Sequence, residues 1–494
     1  MKKEILEEKE MSLLRDAVDT ITYKSGKRLL DNENIKKVLS ILEDFLQTHK
    51  TLCYGGTAIN NILPENDRFY NRNIELPDYD FFSPYAMEYA KKLANIFYKN
   101  GFIEVEAKSG VHSGTYKVFV NFLPIADITY LEPKLFHNLN KKSIKINAIN
   151  YCPPNFLRMA LYQELSRPNG DISRWEKILK RLILLNKNYP LKGFTCNDLN
   201  FQRKYEGSNN DSFKIYNNVK KSIINEGLVF FGGFALSIYK NYMPKYHKKN
   251  ILHIPDFDVL SNNAYKSAYI IREQLHYEGF KNVKIIKKQP IGEYIENHYE
   301  IIVNKDTVAF IYQTTACHSY NKIIINNETI KIATIDTILS LYLIFIYANR
   351  NYYNINRLLC MSEYLLNLQI KNRLSQKGVL RRFTYNCFGY QATIEDLRGK
   401  KTEIYNKIKG KNNFKKSKEF KENFFRYIPN SVSNDINNTN NTNNTNDTND
   451  INNTNDTNDT NDKNKNKNKN KNKNKNKNKK TIKKKQRKRN TYRK

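Results

Sequence analysis

Apolar positions recur at helical spacing through residues 4–22 and again through 32–48, where Ile35, Val38, Leu39, Ile41, Leu42 and Leu46 form one stripe. This predicts an N-terminal helical pair that leads into a first strand and packs on the back of the sheet that follows. The period then changes. The apolar run Thr51 to Tyr54 reads as a strand, Gly55-Gly56 as a tight turn, and Thr57 to Leu63 as a helix start. Ile74 to Phe82 reads as a second strand carrying Asp78 and Asp80 two residues apart, hence on one face. Ala86 to Asn100 is an amphipathic helix stopped by Gly101. Strands follow, one with Asp127 inside the apolar run Pro124 to Tyr130. Asn155 to Leu185 reads as two helices broken at Ser166-Arg167-Pro168-Asn169-Gly170.

The pattern then starts again. Gly227 to Tyr239 is another strand, Gly232-Gly233 and helix, and Ile254-Pro255-Asp256-Phe257-Asp258 repeats Leu76-Pro77-Asp78-Tyr79-Asp80. The first glycine precedes the first aspartate by 23 residues in one copy and 24 in the other. A helix-ending glycine lies 21 residues after the second aspartate in both, at Gly101 and Gly279. Ile330 to Leu365 echoes the helical segment that closes the first copy. Laid side by side, the copies place Phe310 about where the first has Asp127, with Asp306 and Glu300 as weaker substitutes for the third carboxylate. The fold class is therefore α+β, built from two tandem units. Expected segments are an N-terminal helical segment (1–50), a first domain (51–190), a second, degenerate domain (191–370), a basic C-terminal extension (371–430) and a tail (431–494).

Asp78, Asp80 and Asp127 carry the candidate chemistry. An unpaired carboxylate in an apolar run is costly, and a shared Mg²⁺ (or Mn²⁺) removes that cost, since hard oxygen ligands suit it and it keeps positions for water and phosphates. Gly55 and Gly56 let backbone approach a phosphate, and the helix start with the Thr57 hydroxyl offers donors to an anion. Taken singly, a Gly-Gly turn or an Asp-x-Asp is weak; the ordered ensemble is restrictive.

That ensemble resembles the nucleotidyltransferase superfamily of DNA polymerase beta type. Tyr-Gly-Gly-Thr-Ala-Ile-Asn (54–60), Leu-Pro-Asp-Tyr-Asp-Phe-Phe (76–82), His-Ser-Gly-Thr-Tyr-Lys-Val (112–118), Glu-Leu-Ser-Arg-Pro (164–168) and Arg174-Trp175-Glu176-Lys177 are similar to the poly(A) polymerase catalytic subunits of poxviruses and other large cytoplasmic DNA viruses. The similarity covers roughly residues 30–370. It implies a template-independent polynucleotide adenylyltransferase that adds AMP from ATP to RNA 3′ ends, as in mRNA polyadenylation. Asp78, Asp80 and Asp127 would be its catalytic and metal-binding carboxylates, and Gly55, Gly56 and Thr57 its nucleotide-binding residues. Alternatives are another superfamily member, such as an oligoadenylate synthetase or a small-molecule nucleotidyltransferase, or a non-catalytic RNA-binding protein. The resemblance places the protein inside the cell, in host cytoplasm or virion.

Charge sharpens the choice of partner. The 494 residues hold 83 Lys and Arg against 49 Asp and Glu, a net of +34, with 34 Tyr, 26 Phe and one Trp available to stack on bases. Such a field favours a polyanion, and nucleic acid is the natural one. No run is apolar and long enough for a transmembrane helix, nor does Met-Lys-Lys-Glu-Ile open a signal peptide, so no membrane role is expected. Arg158, Arg167, Arg174 and Lys177 are candidates for triphosphate or RNA, against the alternative of a solvated basic face with Trp175 in the core. Arg373, Arg381, Arg382, Lys415, Lys416 and Lys418 are further candidates for phosphates. From Ser431 the composition collapses into Asn, Thr and Asp and then Lys-Asn alternation, with 18 Lys and Arg against 6 Asp, so disorder is expected. This polycationic arm is expected to raise RNA affinity, ahead of a nuclear-localisation role. The six cysteines, with no CxxC pair, read as reduced thiols. The apolar and aromatic surface of the second unit suggests a homo-oligomer.

Overall fold

The structure, a computed structural model, describes residues 2–71, 73–196, 199–201, 209–242 and 256–429. The tail from Ser431 lies outside them. In chain order the first unit comprises α1 (Lys2–Leu30), α2 (Glu33–Thr48), β1 (Leu52–Tyr54), α3 (Gly55–Ile62), β2 (Tyr79–Ser83), α4 (Ala86–Lys99), β3 (Val105–Ser109), β4 (Thr115–Val120), β5 (Leu123–Tyr130), α5 (Pro133–Asn140), β6 (Ile144–Ile146), β7 (Ile149–Tyr151), α6 (Pro154–Leu165) and α7 (Trp175–Asn188). The second comprises α8 (Asn209–Asn225), β8 (Val229–Phe230), α9 (Gly233–Tyr239), β9 (Phe257–Ser261), α10 (Ala264–Tyr277), β10 (Val283–Lys288), β11 (His298–Val303), β12 (Asp306–Gln313), β13 (His318–Ile325), β14 (Glu328–Ala333), α11 (Ile335–Phe345) and α12 (Ile355–Lys371). The extension adds β15 (Cys387–Phe388), α13 (Ile394–Ile408), α14 (Lys418–Phe424) and β16 (Arg426–Tyr427).

The two sheets share one topology. The first runs β16-β3-β4-β5-β2-β1-β7-β6 and the second β10-β11-β12-β9-β8-β14-β13-β15. Stripped of β16 and β15, each has seven strands in matching order and matching sense: the β5–β2 and β1–β7 pairs are parallel, as are β12–β9 and β8–β14. The duplication read from the glycine and aspartate spacings is therefore a duplication of fold. The units meet through equivalent helices, α6 packing on α11. Polar ties cross the same boundary: Tyr162 donates to Gln369 Oε1 (3.2 Å), Asn138 to the Tyr347 carbonyl (3.0 Å), and the Ser319 amide to the Ser166 carbonyl (2.8 Å).

One face of the first sheet is core. Cys53, Phe81, Ile128 and Tyr116 occupy one cross-strand row and are all buried. α2 contributes Val38, Leu42, Phe45 and Leu46 to this core, and α4 contributes Ala90, Leu93, Ala94 and Phe97. The opposite face carries the polar residues discussed below.

Several expectations are corrected. The first helix runs unbroken to Leu30, and α1 does not pack on the sheet: Leu6, Leu13, Leu14, Val18 and Ile21 are exposed, because no other element of the described chain covers its apolar side. The second aspartate strand begins at Tyr79, so Asp78 sits just before it. Arg158 is fully buried, donating to Asn186 Oδ1 (2.7 Å), Asn155 Oδ1 and the Tyr189 carbonyl, which makes it a clamp between α6 and α7 rather than a phosphate ligand. Arg382 is likewise spoken for, its guanidinium on the buried Asp336 at 2.8–2.9 Å. Cys196 is bonded to Cys360 and Cys317 to Cys387, while Cys53 and Cys152 are free and buried. The partners lie 164 and 70 residues apart. No local spacing announces them; they meet because the segment after α7 lies against α12 and because β15 pairs with β13.

The basic extension folds back on the first unit. β16 extends the first sheet antiparallel to β3, pairing Arg426 with Lys108 and Tyr427 with Ala107. Lys401 of α13 anchors it from the side, donating to the carbonyls of Gly110 (2.5 Å) and Asn423 (3.1 Å).

Candidate active site

Four strands place four polar side chains in one line. Tyr54 of β1 is in register with Asp80 of β2, Asp80 with Asp127 of β5, and Asp127 with Lys117 of β4. Cross-strand partners share a face, so Tyr54, Asp80, Asp127 and Lys117 form one row on the open face of the sheet. Strand alternation explains the placement: β4 reads Thr-Tyr-Lys-Val-Phe-Val, and its Tyr116, Val118 and Val120 are the buried phase. Asp78 stands at the solvent-open lip of this row.

The carboxylates crowd one another. Partial desolvation and then the Asp127 charge push the Asp78 carboxyl up, against the Lys117 ammonium. Asp80 is pushed up to about 7 by burial and then by Asp78 and Asp127, with Lys117 and Arg174 opposing. Lys117 Nζ bonds Asp127 Oδ2 directly. This excess of negative charge is what a divalent cation relieves, and three carboxylates are the right kind of donor for Mg²⁺. Side-chain positions are another matter. Among the described residues no three His, Cys, Asp or Glu side chains are grouped to hold an ion, and the positive charge at Asp127 is the lysine's.

The helix start completes the site. α3 begins at Gly55, directly after β1, and Gly55 has φ +76°. A Cβ there would come within 2.5 Å of Asp80 Oδ2, so the carboxylate lies against bare backbone. Gly56 faces the Tyr70 hydroxyl and the Arg181 guanidinium, which a Cβ would meet at 2.7 and 2.9 Å. Thr57 is buried in the first turn. Arg181, 7% exposed on α7, donates to the Tyr70 hydroxyl at 2.5 Å and lies 4.9 Å from the Phe69 ring centroid. Its buried Nε has no hydrogen-bond partner among the described residues. Beneath the row, Tyr54 stacks on Phe82 (3.8 Å), and its hydroxyl is hydrogen-bonded to Thr129, which also bonds Thr115.

The structure thus brings Asp80, Asp127, Gly55, Gly56 and Thr57 together, with Asp78 at their edge. Arg174 pairs with Glu164 (3.4 Å) near Asp80, and Arg167 is half-buried close to Glu164 and Glu293. Trp175 is half-buried against the core, its indole donating to the Glu164 carbonyl. Two residues went without an assigned role in the sequence. Lys117 lies in the quoted His112–Val118 stretch at the polar phase of an alternating strand. Arg181 interrupts the buried stripe Ile178, Leu182, Leu185 of α7, and an arginine within such a stripe is a readable signal.

The second unit repeats the frame without the row. A Cβ on Gly232 would meet Asp258 Oδ2 at 2.2 Å, as at Gly55 and Asp80. Asp258 is in register with Phe310, and Phe310 with Glu300, at the places of Asp127 and Lys117. A shallow cleft lined by Gly233, Asp256, Asp258, Tyr312 and Arg357 marks the equivalent spot.

Residues 40–171 match the poly(A) polymerase catalytic subunit family. The matched stretch contains Gly55, Gly56, Thr57, all three aspartates and Lys117. A protein of Acanthamoeba polyphaga mimivirus named for that subunit is 33% identical over 196 residues, 39% of this chain and 32% of its own length. One from African swine fever virus (strain Badajoz 1971 Vero-adapted) is 31% identical over 191 residues, 36% of this chain and 39% of its own. The chain therefore spans about a third of these relatives' length. In shape it is similar to the crystal structure of the Megavirus polyadenylate synthase, with a TM-score of 0.72, 21% identity and 86% of each chain covered. That likeness spans both sheets and shows a shared fold.

Proposed function

We propose that the chain is a template-independent RNA 3′-adenylyltransferase, a poly(A) polymerase whose working centre is the first unit. The observation that carries this reading is the row Tyr54–Asp80–Asp127–Lys117, with Asp78 at its lip and the Gly55 backbone pressed on Asp80. A carboxylate set beside a glycine-started helix suits displacement at phosphorus, where positioning and charge neutralisation are most of what is required.

Asp78, Asp80 and Asp127 would hold Mg²⁺ or Mn²⁺, which would supply charge neutralisation for the attacking and leaving oxygens. The chain's own groups do the positioning. The amides at the start of α3 and the Thr57 hydroxyl receive the β- and γ-phosphates, and Arg181 beside Gly56 adds a fixed fork of donors to them. Asp127 faces the primer: the RNA 3′ oxygen attacks the α-phosphorus of ATP, its proton passes to Asp127, and the bond to pyrophosphate breaks. Tyr54, tied to Thr129 and stacked on Phe82, keeps the floor of the site rigid. The extension sets Arg426 of β16 beside Lys108 of β3, both paired with Glu106 (2.6 and 3.0 Å), and brings α13 and α14 to the same side of the sheet. Lys108 lies two strands from Asp127, roughly 10 Å across the sheet, and Arg426 one strand further, a suitable flank for an RNA backbone.

The test is extension of a labelled RNA primer with Mg²⁺ and each nucleoside triphosphate separately. A ladder with ATP alone is expected; absence of extension with every nucleotide would remove the enzymatic reading.

A further inference from the structure

Lys117 is not accounted for by the three carboxylates alone. Its ammonium bonds Asp127, and its charge reaches Asp78 and Asp80 as well. As a structural ion pair it is weak: the lysine side chain is 37% exposed and the aspartate 20%, a setting in which solvent screens most of the attraction. The second unit supplies an internal comparison. Where Phe310 replaces the aspartate, Glu300 replaces the lysine, and Glu300 is engaged elsewhere, with Lys288 Nζ at 2.6 Å and Thr307 Oγ1 at 2.5 Å. The sheet keeps its shape without the pair. The lysine occurs in the unit that carries the third carboxylate and is replaced in the unit that lacks it.

Taking the first unit as the metal-dependent nucleotidyltransferase proposed above, we infer that Lys117 is a positioning residue that makes metal binding conditional on nucleotide. It is a tethered counter-ion that holds Asp127 until a nucleoside triphosphate arrives with its divalent cation. An ammonium and a divalent cation compete for the same carboxylate and repel each other. The nucleotide resolves the conflict by presenting anionic phosphate oxygens to the ammonium, which its flexible four-carbon stem lets it reach by rotation. Asp127 is then released to the cation. Cation and nucleotide therefore promote each other's binding, by the same factor in both directions.

The test is binding rather than turnover. Mn²⁺ is titrated into the full chain and followed by electron paramagnetic resonance, with and without a non-hydrolysable ATP analogue, for wild type, Lys117→Met and Lys117→Arg. Lys117→Met is expected to bind Mn²⁺ alone about fivefold tighter than wild type, the worth of removing a half-exposed competing charge. In that variant the analogue should no longer raise Mn²⁺ affinity. The KM for ATP in primer extension should rise, with Lys117→Arg intermediate in each measurement. Unchanged melting temperatures would separate this from misfolding, since the side chain is half outside. A Lys117→Met protein with wild-type Mn²⁺ affinity and wild-type enhancement by the analogue would overturn the inference and leave the active-site reading intact. A wild type that binds no Mn²⁺ even with the analogue would overturn the metal reading itself.

Discussion

Phe310 stands in register with Asp258 on neighbouring parallel strands, as Asp127 stands with Asp80 in the other sheet. The two units share strands, glycine and first aspartates, and differ at the residue that would face the attacking hydroxyl. A phenyl ring holds no cation. The double variant Asp256→Asn with Asp258→Asn is therefore expected to retain most single-nucleotide addition. Loss of addition in a folded double variant with normal RNA affinity would mean that the chain has two working centres.

Asp78→Asn, Asp80→Asn and Asp127→Asn should each cut primer extension by more than about a hundredfold, the scale for removing a charge that positions the reacting phosphate. Stability should move the other way at Asp80. Its carboxyl is raised to about 7 in the fold, so the folded chain binds the proton more tightly than the unfolded one. Stability from this group is greatest below the ordinary carboxylate pKa and is lost as pH rises toward 7. Without metal, Asp80→Asn should melt above wild type at pH 7.5 and close to it at pH 4.5. A variant that melts lower at both values would make the cluster structural.

Gly55→Ala tests the contact of backbone with carboxylate. The methyl would meet Asp80 Oδ2 at 2.5 Å in a left-handed residue, which costs about 1–3 kcal/mol of strain and displaces Asp80. Extension should fall at least tenfold, and the melting temperature should drop. Wild-type extension by Gly55→Ala would show that α3 does not start against the aspartate in solution.

Arg181→Ala should raise the KM for ATP about tenfold with a smaller change in kcat, since the guanidinium is proposed to meet phosphates that do not react. Arg181→Lys should recover only part, because it keeps the charge and loses the fork and the stacking on Phe69. An ATP KM unchanged in Arg181→Ala would assign the residue to packing alone.

Removing residues 431–494 takes away a net charge of +12 and leaves β16 in place on β3. Primer extension should persist. RNA binding should weaken chiefly at low salt, with a shallower dependence of affinity on salt concentration. A truncated protein inactive at every salt concentration would give the tail a role in the reaction.

The sequence by itself determined the parts that local chemistry controls. Gly55-Gly56, the Asp78–Asp80 pair and Asp127 were legible as an ordered set because each is a short local pattern of residue types within a strand or at its end. The duplication was legible because Gly232, Asp256, Asp258 and Gly279 repeat their spacing, and α4 ended where Gly101 stops it. Only the tertiary structure decided relations between distant residues. Lys117 meets Asp127 because β4 pairs with β5 in one register, and a slip of one residue would have turned it into the core. Arg158 and Arg382 looked like phosphate ligands, and burial beside Asn186 and Asp336 made them structural. Cys196 found Cys360, and β16 found β3, because packing closes loops of more than a hundred residues, a matter on which composition and period carry no information. α1 had the periodicity of a packed helix and no surface to pack on, since a stripe states what a helix can bury and the rest of the fold states whether anything covers it.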